Sequence, residues 1–234
     1  MLADRLLQHV LHFSLDGVKL PPGVSVLDPF HGEHAEEVRR IVTTFHHAHY
    51  NDDAPRLLML GINPGRLGAG STGLSFTDTK RCESDLHIPV NGLRTHEPSS
   101  DFFYRMIRAA GGADRFYRKV YVHAVCPLGF VHQQGNSAAV NLNYYDDRAL
   151  EKAVTPFVEN WMKTLVGCGM RTDVALCIGT GKNAAYFQTL NDRLRLFNRI
   201  VALEHPRYVM QYKAKQLDRY VDKYLGALKE AGIG

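Results

Sequence analysis

The spacing of apolar residues changes character repeatedly along this chain. Leu2, Leu6, Leu7, Val10 and Leu11 recur three to four residues apart, which predicts an amphipathic helix over 1–13. Lys19-Leu20-Pro21-Pro22-Gly23 breaks it, residues 24–30 read as extended, and residues 33–50 read as a second helix. Arg56-Leu57-Leu58-Met59-Leu60 is a continuous apolar run, the pattern of a short buried strand over 57–61. Residues 62–97 show little periodicity, and structureless stretches of that length are usually functional. Ser99 or Ser100 is the expected N-cap of a helix over 101–110, which Gly111-Gly112 stops. A second strand is expected at 120–125, followed by a polar, Asn-rich loop over 127–147. Val154, Phe157, Val158, Trp161 and Leu165 fall on one face of a helix over 148–166. A strand at 174–178, a helix at 182–190, a strand at 200–203 and a last helix over 208–230 complete the chain.

Four strands that alternate with helices predict an α/β fold. The expected architecture is a single domain over 1–234, with a mostly parallel four-stranded central sheet and helices on both faces. No apolar run is long enough to span a bilayer, so no membrane partner is expected. Met1-Leu2-Ala3-Asp4-Arg5 lacks the basic start and apolar core of a signal peptide, which places the protein in the cytoplasm. Cys82, Cys126, Cys168 and Cys177 are scattered and read as buried, reduced thiols rather than metal or iron–sulfur ligands. The net charge of +4 is uneven. From Gly181 onward ten basic residues face five acidic ones, leaving the rest of the chain close to neutral. A basic C-terminal quarter suits an anionic polymer such as DNA, and it equally suits a solvated helix face.

The chemistry concentrates at two strand ends. Gly61-Ile62-Asn63-Pro64-Gly65 follows the first central strand, so its loop lies at the carboxyl end of the sheet, where ligands bind in open α/β folds. Glycines there let backbone amides approach a ligand closely. The Asn63 amide can orient a water molecule through its carbonyl oxygen without titrating, and Pro64 stiffens the turn behind it. The fourth strand ends in Glu204-His205-Pro206-Arg207. In a parallel sheet both ends share an edge, so Asn63 and His205 can share a cleft. Other patterns fail. Gly179-Thr180-Gly181-Lys182-Asn183 lacks the first glycine of a phosphate loop and has Asn in place of the magnesium-binding hydroxyl. His46, His47 and His49 point in different directions on one helix, without further ligands.

Taken together, these segments resemble the motifs of the uracil-DNA glycosylase superfamily. Gly61-Ile62-Asn63-Pro64-Gly65 resembles its first motif and His205-Pro206-Arg207 its second. The spacing to Phe76, with Gly68, Thr72 and Gly73 in step, is similar to the single-strand-selective monofunctional type, in which a Phe at that distance stacks on the base. Val122-His123-Ala124-Val125-Cys126-Pro127-Leu128 resembles a family strand, except that the family has a base-contacting Asn where this chain has Ala124. The second motif is also shortened from the His-Pro-Ser-Pro-Arg of the nearest type. Both departures imply a divergent bacterial subfamily that also accepts purine lesions such as xanthine.

The resemblance implies a cytoplasmic, nucleoid-associated, monomeric DNA-repair enzyme that needs no metal or organic cofactor. Asn63 and His205 would be catalytic. Asn63 would hold the attacking water, and His205, as a neutral imidazole, would stabilise the departing base. Gly61, Ile62, Gly65, Phe76 and Ala124 would bind the extruded base. Arg207, Tyr208 and Met210 would wedge into the gap left in the strand, and Lys213 would hold phosphate. No lysine is placed as a Schiff-base nucleophile, so base removal without strand cleavage is expected. Two other readings stay open: a non-catalytic nucleic-acid or nucleobase-binding module on the same scaffold, and a hydrolase of free nucleosides.

Overall fold

The computed structural model describes residues 1–133 and 139–234. The elements in chain order are α1 (Leu2–Val10), β1 (Val24–Leu27), α2 (Ala35–His49), β2 (Arg56–Gly61), α3 (Ala69–Thr72), α4 (Thr79–Ser84), α5 (Pro98–Ala109), α6 (Ala113–Tyr117), β3 (Val120–Ala124), β4 (Gly129–His132), β5 (Val140–Leu142), α7 (Arg148–Gly167), β6 (Met170–Ile178), α8 (Lys182–Leu194), β7 (Ile200–Leu203), α9 (Pro206–Tyr212) and α10 (Leu217–Glu230).

The central sheet is parallel throughout, in the order β3-β2-β6-β7, and helices flank it. All six residues of β2 and all five of β3 are buried. That is why the β2 sequence reads as a near-continuous apolar run, whereas β3 reads as alternating and is buried on both faces all the same. The predicted α/β class and four-stranded sheet are therefore the observed ones. Because the strands run the same way, the chain segments that leave β2, β3 and β7 emerge on one edge.

Two of the expected elements need correction, as does one helix cap. The loop expected over 127–147 contains β4 and β5, which join β1 in a second, antiparallel sheet of order β1-β4-β5. β5 is only three residues long and largely exposed, so it carries no apolar alternation to read. Residues 134–138 of that stretch lie outside the described residues. The last helix, expected to be continuous over 208–230, is two helices separated by a 3₁₀ turn at Ala214–Gln216, and both helices contact α5.

The second sheet sits against the loop after β2. Gly129 of β4 packs so close under the Pro64 carbonyl that a Cβ would overlap it, and Gly70 meets Leu27 of β1 in the same way. The poorly periodic stretch 62–97 contains two short helices and is tied down by polar bonds. Asp78 is fully buried and caps α4 by accepting from the Arg81 amide at 3.0 Å. Its other oxygen accepts from the Glu97 amide and the Ser100 hydroxyl, both at 2.9 Å. Asp78 thereby bolts the loop to the start of α5. The observed N-cap of α5 is Glu97, with Pro98 in the first turn, and not Ser99 or Ser100.

The four cysteines are buried and unpaired as expected, and burial pushes the thiols of Cys82, Cys126 and Cys177 up to about 12. His46 and His49 belong to the aromatic core around Phe45, Tyr50 and Tyr117. Among the described residues no helix is long and apolar enough to cross a membrane.

Asp78→Ala removes one charged acceptor from three donors that remain buried. The expected loss is about 3 kcal/mol of unfolding free energy, read from the urea midpoint. A loss below about 0.5 kcal/mol would show that the loop is held by packing instead.

Candidate active site

A cavity of about 210 Å³ opens at the edge where the β2, β3 and β7 strands end. Gly61, Ile62, Asn63, Pro64 and Gly65 form its floor from the β2 exit. Ser75 and Phe76 contribute from the loop, Glu97 and Ser99 from the start of α5, His123 and Ala124 from β3, Asn141 and Asn143 from the second sheet, and His205 and Arg207 from the β7 exit. Three groups far apart in sequence, Asn63, Phe76 and His205, thus line one space.

The Asn63 side chain is fixed at both ends. Its Nδ2 donates to the Leu142 carbonyl at 3.2 Å and to the Pro64 carbonyl at 3.3 Å, and its Oδ1 accepts from the Tyr144 amide at 3.2 Å. This pattern assigns the amide orientation, because two acceptors face the nitrogen and a donor faces the oxygen. An amide oxygen has a second lone pair, which no donor among the described residues occupies. Tyr144 is itself anchored. Its hydroxyl donates to Asn183 at 2.8 Å, and Asn183 Nδ2 donates back to the Ile178 carbonyl at 3.3 Å and the Gly61 carbonyl at 3.5 Å. Asn183 is the residue that replaces a magnesium-binding hydroxyl in the phosphate-loop-like stretch; here it is a buried brace.

Phe76 is 7% exposed, with one face stacked on Phe103 of α5 at 4.7 Å and 26°. Its backbone holds φ at +55°, an uncommon conformation for an aromatic residue and one that clusters at functional sites. The ring edge lies over Gly61, where a Cβ would come within 2.8 Å of Phe76 Cζ. Gly61 therefore has no side chain because Phe76 occupies that volume.

His205 is the N-cap of α9, and its Nδ1 accepts from the Arg207 amide at 3.1 Å. A ring nitrogen that accepts carries no proton, so the neutral imidazole holds its proton on Nε2. Burial, with help from the Arg207 charge, pushes the pKa down to about 4, which keeps the ring neutral at pH 7. The ring sits 5.5 Å from Phe76. His123 is also neutral, with burial pushing it down to about 3, and it packs among Phe13, Tyr121 and Trp161. Ala124 is buried, and its carbonyl accepts from Trp161 Nε1 at 3.2 Å, which fixes the strand end against α7.

Of the remaining predicted residues, Arg207 lines the cavity. Tyr208 is exposed beside it, tilted against Tyr212 at 5.5 Å, with the Lys213 ammonium 6.0 Å from the Tyr208 ring. Met210 packs half-buried against the core, away from the cavity. The basic excess of the C-terminal quarter is partly neutralised from outside it, since Arg193 pairs with Glu159. Glu97, Ser99, Asn141 and Asn143 escaped the sequence reading. The Asn residues lie on or beside the unrecognised strand β5. Glu97 sat in the aperiodic stretch, and its only signal was its place just before a helix.

A profile of the uracil DNA glycosylase superfamily matches residues 47–229, most of the chain and every cavity-lining strand end. The chain belongs to the uracil DNA glycosylase superfamily. The crystal structure of wild-type SMUG2 from Pedobacter heparinus aligns with a TM-score of 0.95 and 45% sequence identity, over 100% of this chain and 99% of that one. No curated protein sequence matches the chain. The sequence resemblance to this superfamily is thus borne out, and so is the glycosylase-like fold.

In histidine-labelled protein, NMR is expected to show His205 as the Nε2–H tautomer at pH 7, titrating near 4. An unfolded chain binds that proton near pH 6.5, so His205 supports the fold above 6.5. That support is lost as pH falls toward 4, by at most roughly 1.4 kcal/mol per pH unit.

Proposed function

We propose that this chain is a monofunctional DNA glycosylase that hydrolyses the N-glycosidic bond of uracil, and of other deaminated or oxidised bases such as hydroxymethyluracil and xanthine. The carrying observation is that a braced amide, a stacked aromatic ring and a neutral imidazole whose N–H has no partner among the described residues all line one space of about 210 Å³. Cavities of roughly 150 Å³ hold a benzene ring, so 210 Å³ takes a six-membered base.

A base reaches such a cavity only when it leaves the stack, at a cost of about a few kcal/mol. Stacking on Phe76 offsets part of that, at roughly 1–3 kcal/mol. As the bond breaks, positive charge grows on the sugar and negative charge on the base. His205 Nε2–H donates to the base carbonyl oxygen that gains charge, and the buried site strengthens that bond. A neutral donor suits this role because it needs no proton from solvent. Asn63 holds the attacking water through its spare lone pair. An amide is a poor base, so the larger share of the barrier reduction falls to leaving-group stabilisation. Ala124 leaves the base edge unread on one side, which admits bases other than uracil. Arg207 lines the cavity and Tyr208, the next residue, is exposed; these two would supply the wedge that fills the vacated stack.

Release of uracil from a labelled single-stranded oligonucleotide tests the reading. Asn63→Ala and His205→Ala are each expected to slow single-turnover release by about 100-fold or more. Unchanged rates in both variants would defeat these roles. Turnover of free nucleosides with salt-independent DNA affinity would favour a small-molecule hydrolase. Tight binding of damaged DNA with no base released would favour a binding module. Ala124→Asn is expected to favour uracil over xanthine by about tenfold, and an unaltered ratio would remove Ala124 as the source of breadth.

A further inference from the structure

Glu97 is the N-cap of α5, yet its side chain makes no capping bond. The shorter aspartate in that position would accept from the first turn of its helix. The Glu97 side chain lies at the cavity wall with its carboxyl against Gly68, and its Oε2 is buried without a hydrogen-bond partner among the described residues. The placement is built from both sides. The Glu97 amide is held by Asp78 at 2.9 Å, and a Cβ at Gly68 would fall inside the Glu97 carboxyl. A loop glycine and a bolted backbone together make room for this one group.

We propose that Glu97 works as a neutral carboxylic acid whose O–H donates to a phosphodiester oxygen of the strand that delivers its nucleotide to this cavity. The proposal rests on the glycosylase reading and extends it to how the backbone of the substrate is held. Three features favour phosphate over the base as the acceptor. The base side is already furnished by Phe76, Ala124 and His205. The N-terminal end of the twelve-residue helix α5, which favours an anion, opens here through Glu97 and Ser99. Arg207 lines the same cavity and attracts the Glu97 carboxyl electrostatically, and an uncharged carboxyl leaves that cation to a phosphate. The charged and titratable groups around Glu97 are Asp78 behind it, His96 beside it in the chain and, across the cavity, Arg207 and neutral His205. Burial first, and then the Asp78 charge, push the Glu97 carboxyl up to about 7, against the opposing pull of Arg207. The proton is therefore available near neutrality, and strand binding takes up one proton from solvent above that pH.

The test uses a single-stranded oligonucleotide carrying one 2′-fluoroarabinouridine, which binds without being cleaved. Affinity is measured by fluorescence anisotropy at fixed salt between about pH 6 and pH 8.5. Wild-type affinity is expected to be flat below about pH 7 and to weaken toward tenfold per pH unit above it. Glu97→Gln, which keeps a donor and cannot ionise, is expected to remove that slope and to bind about tenfold tighter than wild type at pH 8. Glu97→Ala is expected to bind weakly and without the slope. Uncharged methylphosphonates flanking the modified nucleotide are expected to abolish the wild-type slope. A slope that persists with them would place the acceptor on the base and overturn the proposal. The same slope in wild type and Glu97→Gln, or Glu97→Gln as weak as Glu97→Ala at pH 6, would also overturn it. A wild type that binds the probe but releases no base defeats the glycosylase reading alone. A wild type that releases uracil while Glu97→Gln keeps the slope defeats this proposal alone.

Discussion

The Asn63 carboxamide is the joint on which the site depends. It belongs to the loop leaving the parallel sheet, yet its hydrogen bonds go to Leu142 and Tyr144, at and just after the end of the antiparallel sheet. Through Tyr144 and Asn183 the same network returns to Gly61, one turn of loop from where it began. Two sheets that share no strand are thus registered against each other at the residue whose side chain faces the cavity. Polar networks of this kind are stable only when every member is satisfied, and a satisfied one confers rigidity. The small second sheet, which adds little to the core, earns its place by holding one amide at a fixed angle.

What the sequence disclosed, and what it hid, follows from the kind of signal each part carries. β2, β3 and the helix α7 were legible because deep burial leaves an unbroken or periodic apolar imprint. Asn63, Phe76 and His205 were legible because glycine and proline punctuate the strand exits around two of them and motif spacing marks the third. β5 was not legible, since three mostly exposed residues leave no imprint. The break after Tyr212 was hidden because the tyrosines and leucines on either side keep a helical rhythm across it. Glu97 was hidden for another reason. A lone acid in an aperiodic stretch carries no pattern of its own, and the cap was expected at Ser99 or Ser100 instead.

Phe76 shows how local cost and site geometry are reconciled. Its left-handed backbone costs of order 1 kcal/mol, and a β-carbon at Gly61 would evict its ring. The conformation persists because Phe103 covers one face of the ring and Thr72 clamps the loop, its hydroxyl donating to the Thr77 carbonyl at 2.7 Å. An aromatic plate pinned on one side keeps its orientation without help from a ligand.

The buried cysteines have a consequence for the conditions in which this chain operates. Peroxides and alkylating agents attack the thiolate, and three of the four sulfhydryls ionise only near 12. A repair protein meets its lesions in the same chemical stress that creates them. While it stays folded, that stress meets these three thiols in their protonated, unreactive form.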